Sequence, residues 1–353
     1  MMRVRWFPLP EELAGNPYWS MLHASLTRLG VEFDSSPSPT GLGRRWLMAN
    51  RGRVQVIHLH FVQPFYAYEL THARLRWVVR FARNLTLARG IGYRIVLTLH
   101  DLHPTYPLRP AWVDYLGHLV AVNLADRVIV HYQSASSLLT RRFGRHSNIS
   151  VMPLPAYSGV YPNTILRTEA RCELGYGDRH LVLVFFGGIR PNKGLYELIR
   201  AFRGIPGDNA RLLIAGKPWP PETYVRELLH QASLDDRVRI VAEFVPDNQV
   251  QLYLNAADIV VLPFQQILTS SSAHLAMSFS RPVVAPCMGS LPDTVGQDAG
   301  VLYDPTDPEG LRRAMLSCVS MDLEAMGKRA YDRVQRFSFD DLARSTFEVY
   351  SGS

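Results

Sequence analysis

The segment with the clearest potential for chemistry follows the apolar run Leu181–Phe186, which predicts a buried strand. Two glycines, Gly187 and Gly188, come next, and a helical periodicity begins a few residues later. The first turn of a helix leaves backbone N–H groups free, and Arg190 and Lys193 add two cations. This pattern favours binding of a diphosphate. A tight turn that carries two solvated charges is the alternative interpretation.

Other polar residues follow the predicted strands of the second half of the chain. In open parallel sheets, ligands bind beyond the carboxyl ends of the strands. The run Thr269–Ser272 leads into a predicted helix and offers hydroxyls and free N–H groups, although ordinary helix capping would also explain it. The candidate ligand-binding residues at these strand ends are therefore Gly187, Gly188, Arg190, Lys193, Gly216, Lys217, Gln265, Thr269, Ser270, Ser271 and Ser272.

Histidines end two predicted strands of the first half. His58 and His60 end one strand, and His100, Asp101 and His103 follow another. A His or Asp at a strand tip can accept a proton from a hydroxyl, which favours acid–base or sugar-binding work. The His-x-His pair could instead hold a metal, but no carboxylate or Cys at ligand spacing supports a metal site. Burial with backbone hydrogen bonds is the third interpretation.

Composition limits the class of protein. The 353 residues are too many for one ordinary core and predict two domains, and 47% hydrophobic with 20% charged residues is typical of globular proteins. The three cysteines are scattered and predict neither a disulfide framework nor a metal site, so a reducing cytoplasm is expected. No apolar run predicts a signal peptide or a membrane span.

The charge is distributed unevenly along the chain. Residues 1–165 hold 18 arginines, no lysine and eight acidic residues, a net charge of +10, whereas residues 166–353 carry −3. A basic first half predicts an anionic partner, and without a nucleic-acid motif a membrane surface is favoured over nucleic acid. The arginine-rich helix predicted at Leu70–Arg89 could lie on an anionic membrane; a solvated basic face is the alternative.

Alternating strands and helices with continuously apolar strands predict parallel, doubly wound α/β sheets. We predict two Rossmann-like domains, residues 1–160 and residues 161–337, that face a central cleft. The segment Pro153–Thr168 is rich in proline and small polar residues and is expected to be the linker. A last helix, within 338–353, is expected to pack back on the first domain.

The sequence resembles the GT-B glycosyltransferases. Phe186–Gly194 is similar to their G-x-x-R-x-x-K-G signature, in which Arg and Lys neutralise the diphosphate of the donor, and Ala276–Ala285 is similar to the segment EAMACGxPVVA of family 4-type enzymes. The resemblance implies a GT-B fold and a sugar nucleotide as substrate. The resemblance assigns the acceptor to residues 1–160 and the nucleotide to residues 161–337, and the nucleobase of the sugar nucleotide is expected near Phe244 and Val245. No Asp-x-Asp motif occurs, so neither metal nor cofactor is expected.

One departure from family 4 affects the mechanism. Retaining enzymes of that family carry two glutamates in a Glu-x7-Glu motif, and the corresponding positions here are Ile267 and Leu275. Both acids are absent, so the retaining mechanism and its nucleotide contacts cannot be carried over to this chain.

A closer resemblance is to bacterial exopolysaccharide β-mannosyltransferases that use GDP-mannose. The runs Asn16–Tyr18, His58–His60, Thr98–His100 and Leu275–Ser278 are similar to theirs. Such enzymes act on polyprenyl-diphosphate-linked glycans at the inner membrane face. The resemblance implies an acceptor site that includes Asn16, Tyr18, His58 and His60. For the catalytic base it implies Asp101 first, then His103 or His100, although the position of Asp101 can be Asn in that group.

The sequence therefore predicts a cytoplasmic, peripheral, inverting hexosyltransferase that moves mannose from GDP-mannose onto a lipid-linked glycan. A retaining enzyme that uses a UDP-sugar is one alternative. A non-catalytic GT-B subunit that binds sugar nucleotides or glycans is another, because both glutamates are missing. A GT-B epimerase would need acids near the sugar, and none can be assigned.

Overall fold

The computed structural model describes residues 2–9, 12, 16–38, 41–68, 72–102 and 108–352. The chain divides into two compact units, Met1–Leu154 with Phe337–Ser353, and Pro155–Arg336. The predicted boundary after residue 160 lies six residues beyond the observed one. None of the helices in the described ranges is both long enough and apolar enough to cross a bilayer.

The first unit contains a six-stranded parallel sheet in the order β2-β1-β3-β6-β7-β8. Its central strands are apolar on both faces because helices cover both sides of the sheet. A short antiparallel pair, β4 and β5, lies outside this sheet. The elements are β1 Met2–Phe7, α1 Pro17–Arg28, β2 Val31–Phe33, α2 Arg44–Ala49, β3 Val56–Leu59, β4 Ala67–Tyr68, β5 His72–Ala73, α3 Leu75–Gly90, β6 Arg94–Thr98, α4 Ala111–Leu124, β7 Arg127–Val130, α5 Gln133–Phe143 and β8 Ile149–Val151.

The second unit also contains a six-stranded parallel sheet, in the order β11-β10-β9-β12-β13-β14. The predicted strands of this half all form, because each is a short apolar run flanked by glycine or polar residues. The elements are α6 Arg167–Leu174, β9 Leu181–Phe186, α7 Leu195–Arg203, β10 Ala210–Ala215, α8 Glu222–Ala232, β11 Val238–Val241, α9 Val250–Ala256, β12 Ile259–Val261, α10 Ser271–Ser278, β13 Val283–Pro286, α11 Leu291–Val295, β14 Gly300–Tyr303, α12 Gly310–Ser317 and α13 Leu323–Val334.

The last helix, α14 (Phe339–Ser351), belongs to the first unit. Ser338 and Asp341 form a capping box at its start, which satisfies backbone N–H groups at both positions. Its buried Tyr350 hydroxyl accepts a hydrogen bond from Trp6 Nε1 at 3.0 Å. The helix thus packs into the core of the first unit through apolar contacts and this polar bond.

Each sheet has a point where the strand order reverses. In the first sheet it lies between β1 and β3, and in the second it lies between β9 and β12. Loops on either side of such a point diverge and leave a crevice at the carboxyl ends of the strands, where ligands bind. The topology therefore directs attention to the residues that follow β9 and β12, and to those that follow β3.

Several local predictions were wrong. The helix expected from Leu70 begins at Leu75, because His72 and Ala73 pair with β4; residues 70 and 71 lie outside the described ranges. The expected linker ended at residue 168, but α6 already begins at Arg167.

Candidate functional site

The loops after β9 and β10 extend the second sheet as a paired platform. Ile189 N donates to Lys217 O at 2.9 Å, and Trp219 N donates to Ile189 O at 3.0 Å. Gly216 has a φ of +148°, and a Cβ atom there would overlap the carbonyl of Gly187. Only glycine allows the two backbones to approach this closely. The glycines thus hold bare backbone at the carboxyl edge of the sheet.

The start of α10 lies against this platform. The hydroxyl oxygen of Ser272 is 3.4 Å from the point where a Cβ of Gly187 would be. The first turn of a helix has N–H groups without intrahelical partners, and its dipole favours an anion. The structure therefore brings the loop after β9 and the helix that follows β12 together at the reversal point.

Arg190 and Lys193 belong to the loop after β9. Arg190 is extended and precedes a 3-10 turn at Pro191–Lys193. Gly194 ends the turn at a φ of +70°, where a Cβ would overlap the Pro263 carbonyl. Lys193 Nζ lies 4.1 Å from the centre of the Phe264 ring, a cation–π contact. Both cations are half-buried and follow the strand at the centre of the sheet.

This arrangement differs from the predicted one in two respects. The 3-10 turn separates Gly187 and Gly188 from α7, so these glycines do not form the start of that helix. The helix terminus beside the glycines is that of α10. The capping interpretation holds for Ser270, which is buried and accepts from Ala273 N at 3.1 Å; a contact of its hydroxyl with a ligand stays a prediction. Ser271 and Ser272 are half-buried.

Two aromatic residues continue the carboxyl edge beyond the platform. Trp219 is 42% exposed, and its indole lies over Gly188, with the indole nitrogen 3.1 Å from that glycine's Cβ position. Phe244, after β11, is 59% exposed. Val245 is buried, so its side chain cannot contact a nucleobase as predicted. Trp219 was missed, although an aromatic residue soon after a strand end is a signal that could have identified it.

The remaining donor-side predictions lie at the same edge. Gln265 N donates to Asn192 O at 3.3 Å, and its side chain donates to Glu197 Oε1 at 3.0 Å, so the loops after β9 and β12 are bonded to each other. Lys217 Nζ is 5.6 Å from the centre of the Trp219 ring. Thr269 is half-buried immediately before the cap of α10.

In the first unit, buried histidines form a connected cluster at the ends of β3, β6 and β7. His58 Nδ1 lies 2.6 Å from Tyr350 Oη, and His58 Nε2 lies 2.7 Å from Thr98 Oγ1. His60 Nδ1 lies 3.3 Å from His100 Nε2. His131 was not predicted; its Nδ1 lies 3.0 Å from the Met152 carbonyl oxygen. His131 directly follows β7, and a position at the end of an apolar strand is the same signal that identified the other three histidines.

These histidines are neutral near pH 7 because they are desolvated. Burial lowers the pKa of His58 from the usual 6.5 to about 3, and that of His131 to about 4. Burial also holds the pKa values of His60 and His100 well below 6.5, and the neighbouring histidines lower them further. A neutral imidazole donates from one ring nitrogen and accepts at the other, so one N–H or O–H can form the hydrogen bond of each pair in the cluster.

Several predicted acceptor residues have structural roles instead. His58 is fully buried with a partner for each ring nitrogen, and His60 is 2% exposed, so neither ring can contact an acceptor. Asn16 caps α1 by accepting from Tyr18 N at 3.1 Å. The Tyr18 phenol is buried, with its oxygen 3.4 Å from His131 Nε2. The findings for Tyr18 and the two histidines share one cause: burial depends on neighbours that the sequence does not reveal.

The predicted bases have different environments. His100 is half-buried beside His60, and Asp101 is exposed at the tip of the same strand. His103 lies outside the described residues. Across the described ranges, no group of three or more His, Cys, Asp or Glu side chains is arranged to hold a metal ion.

Comparison with known proteins agrees with this geometry. Residues 180–321 match the family described as Glycosyl transferases group 1. The chain is 33% identical over 312 residues to the GDP-mannose:glycolipid 4-beta-D-mannosyltransferase of Xanthomonas campestris pv. campestris, which covers 86% of this chain and 80% of that protein. It is also 30% identical over 244 residues to the D-inositol 3-phosphate glycosyltransferase of Corynebacterium kroppenstedtii, which covers 65% of this chain.

The chain spans little more than half the length of several such relatives, 54% in the case of the Corynebacterium kroppenstedtii protein. Among solved structures, sucrose-phosphate synthase from Thermosynechococcus elongatus has the same fold, with a TM-score of 0.77 at 18% identity over 100% of this chain and 99% of the other. The chain therefore belongs to the group 1 glycosyltransferases and has their GT-B fold.

Proposed function

We propose that the protein transfers a hexose, with mannose from GDP-mannose favoured, onto a hydroxyl of a lipid-linked glycan. The observation that carries the proposal is that Ser272, at the start of α10, lies beside Gly187 at the reversal point of the second sheet, in the loop that also carries Arg190 and Lys193. The mannosyltransferase of Xanthomonas campestris pv. campestris supports the choice of donor, because its name specifies GDP-mannose and a glycolipid.

The second unit would bind the donor along the carboxyl edge of its sheet. The diphosphate would lie between the two cations and the first turn of α10. The nucleobase would extend from the end of β9 toward Phe244, which follows β11. These two strand ends are about 10 Å apart, because neighbouring strands lie about 4.8 Å apart and β11 is two strands from β9. During transfer, negative charge develops on the departing diphosphate. Preorganised cations and a helix dipole stabilise such charge.

The first unit would supply the catalytic base that accepts the proton of the acceptor hydroxyl. The acceptor hydroxyl oxygen forms the new bond to the anomeric carbon while the bond from that carbon to the nucleoside diphosphate breaks. The hydroxyl proton passes to Asp101, the exposed carboxylate at the tip of β6. A single displacement inverts the configuration. Ile267 and the buried Leu275 favour this route, because neither apolar residue can replace the acids of the retaining motif.

An anionic membrane surface would present the acceptor. On α3 the side chains of Val78, Phe81 and Leu85 are buried, whereas its arginines are exposed together with Leu75 and Val79. Exposed arginines beside apolar side chains suit phosphate headgroups and the acyl boundary. We therefore propose that this face of α3 contacts the membrane while the glycan is bound.

A thermal-shift screen tests the donor assignment. GDP and GDP-mannose are expected to raise the melting temperature more than UDP and UDP-glucose at equal concentration, because a ligand that binds only the folded state stabilises it by mass action. Mannose 1-phosphate, which lacks the nucleoside and one phosphate, is the matched control. A larger shift with the uridine compounds would favour the UDP-sugar alternative, and no shift with any of them would contradict the proposal.

A further inference from the structure

A second concave site lies on the opposite edge of the second sheet. A groove of about 930 Å³ is lined by residues that immediately precede β9, β12 and β13 and by the start of α13. Because the strands are parallel, their amino ends lie at one edge and Arg190 and Lys193 lie at the other. The charged residues of the groove include Arg167, Arg179, Asp258, Arg281 and Lys328.

Asp258 is the main carboxylate of the groove, and its oxygens are already engaged. Arg171 Nη2 lies 2.5 Å from Asp258 Oδ2, and Val182 N donates to the same oxygen at 2.7 Å. Arg167 forms an ion pair with Oδ1. Arg171 is almost fully buried and also donates to the backbone carbonyls of residues 177, 178, 180 and 256. Asp258 and Arg171 thus form a structural unit.

Among the described residues Arg281 makes no direct ion pair, and the carboxylates of Asp258 and Glu324 act on its charge from a greater distance. It lies in the turn between α10 and β13, and its Nη2 makes only a long bond of 3.3 Å to Asn255 Oδ1. Within the described ranges its buried Nε has no hydrogen-bond partner, and no carboxylate lies within 4.0 Å of its guanidinium. Burial, together with the charge of Arg167, lowers the pKa of Arg281 to about 10, so the group remains charged at neutral pH. A desolvated cation without an anion is costly.

The rim of the groove carries charges of both signs, because the exposed carboxylates of Asp322 and Glu324 lie at the start of α13. Arg179 and Lys328 are exposed at its rim. Asp322 is occupied, because it caps α13 by accepting from Ala325 N at 3.0 Å. Val319 and Met321 are exposed beside the cations. The groove therefore offers an anion one half-buried cation, two exposed ones and an apolar wall.

We propose that this groove binds a small molecule that carries a phosphate or diphosphate group, with Arg281 as its principal contact and Arg179 and Lys328 as rim contacts. Arg binds phosphate oxygens through two parallel N–H groups, and this geometry is available to the guanidinium of Arg281. The site is separate from the proposed donor site, because the two lie at opposite edges of one sheet.

Calorimetric titration with inorganic pyrophosphate tests the proposal in the full chain that carries Arg190→Ala and Lys193→Ala, which removes the cations of the donor site. This variant is expected to bind one pyrophosphate. Adding Arg281→Gln should weaken binding by about tenfold or more, because a charge-assisted contact is lost. No binding by the parent variant, or equal binding after Arg281→Gln, would overturn the proposal.

The rim provides a second variant that does not disturb the core. Arg179→Gln with Lys328→Gln changes two exposed side chains. In the background that lacks Arg190 and Lys193, this pair should weaken pyrophosphate binding several-fold. In the chain that keeps Arg190 and Lys193, it should leave donor binding unchanged. Unaltered pyrophosphate binding would contradict the assignment. Failure to bind the donor by the unaltered chain contradicts the proposed donor site, whereas failure of the groove to bind pyrophosphate contradicts the proposed phosphate site.

The phosphate can come from a soluble metabolite or from a lipid headgroup. Glycerol 3-phosphate and short-chain phosphatidic acid below its micelle concentration distinguish these sources. Equal affinities assign the groove to soluble phosphates. Tighter binding of the lipid that is lost in Met321→Ser assigns it to a headgroup. Binding of neither compound would contradict the proposed phosphate site.

Discussion

Replacing Arg190 and Lys193 together by alanine is expected to lower kcat/KM for sugar transfer by at least about a thousandfold. In the proposed complex each cation would contact the leaving diphosphate, where charge develops, and removal of one such group costs about a hundred- to a thousandfold in other enzymes. The affinity for the nucleoside diphosphate should fall by about ten- to a hundredfold, because two charge-assisted contacts are lost. Initial rates and calorimetric titration measure the two effects.

Matched variants separate charge from geometry. Arg190→Lys keeps the charge but loses the planar fork, so it should retain part of the donor affinity. Arg200→Ala removes an exposed cation on α7 and should leave both the rate and the affinity unchanged. The melting temperature of the double variant should fall only slightly, because the cation–π contact of Lys193 with Phe264 contributes about 0.5–1 kcal/mol. Undiminished transfer by the double variant would refute the assignment of the diphosphate site.

Acidification from pH 7.5 to pH 5.5 is expected to lower the free energy of unfolding by about 5 kcal/mol. The folded pKa values of His58, His60, His100 and His131 lie below the unfolded value of about 6.5. The unfolded chain therefore binds more protons once the pH falls below about 6.5. Each histidine contributes about 1.4 kcal/mol per pH unit in that range, until the pH reaches its folded pKa.

Urea unfolding at several pH values measures this slope. His58→Gln can bond both Tyr350 and Thr98 but does not titrate, so the slope should fall by about a quarter. His146→Gln changes an exposed histidine and should leave the slope as it is. A stability that is independent of pH between 7.5 and 5.5 would contradict the buried, neutral cluster. The predicted loss is comparable to the whole stability of many domains, about 5–15 kcal/mol.

Much of the fold could be predicted because its strands are parallel and buried on both faces. Leu181–Phe186 and Gly300–Tyr303 are short apolar runs with clear ends, and the structure places strands at those bounds. The pair of β4 and β5 was missed because two-residue strands carry no periodic signal. Val31–Phe33 was missed for the same reason, since its pairing with β1 depends on tertiary contacts.

The candidate site was predictable in position but not in orientation. Strand ends and glycine spacing identified the loops at residues 187–194 and 269–272, because the carboxyl edge of a parallel sheet follows from topology. Whether a side chain faces solvent depends on its neighbours. Val245 and Ser270 are buried, whereas Trp219 is half-exposed, and no local pattern distinguishes these outcomes. His58 has no exposed surface because Tyr350, almost 300 positions later, closes over its ring.

The most direct test of the account is transfer of labelled mannose from GDP-mannose to a lipid-linked glycan by the purified chain. The glycan is supplied in vesicles that contain anionic lipid, and vesicles of neutral lipid are the control. We predict transfer with formation of a β-linkage, a higher rate on the anionic vesicles, and loss of transfer in the variant that lacks Arg190 and Lys193. Binding of GDP-mannose without transfer would instead indicate a non-catalytic subunit, and an α-linked product would contradict the inverting mechanism.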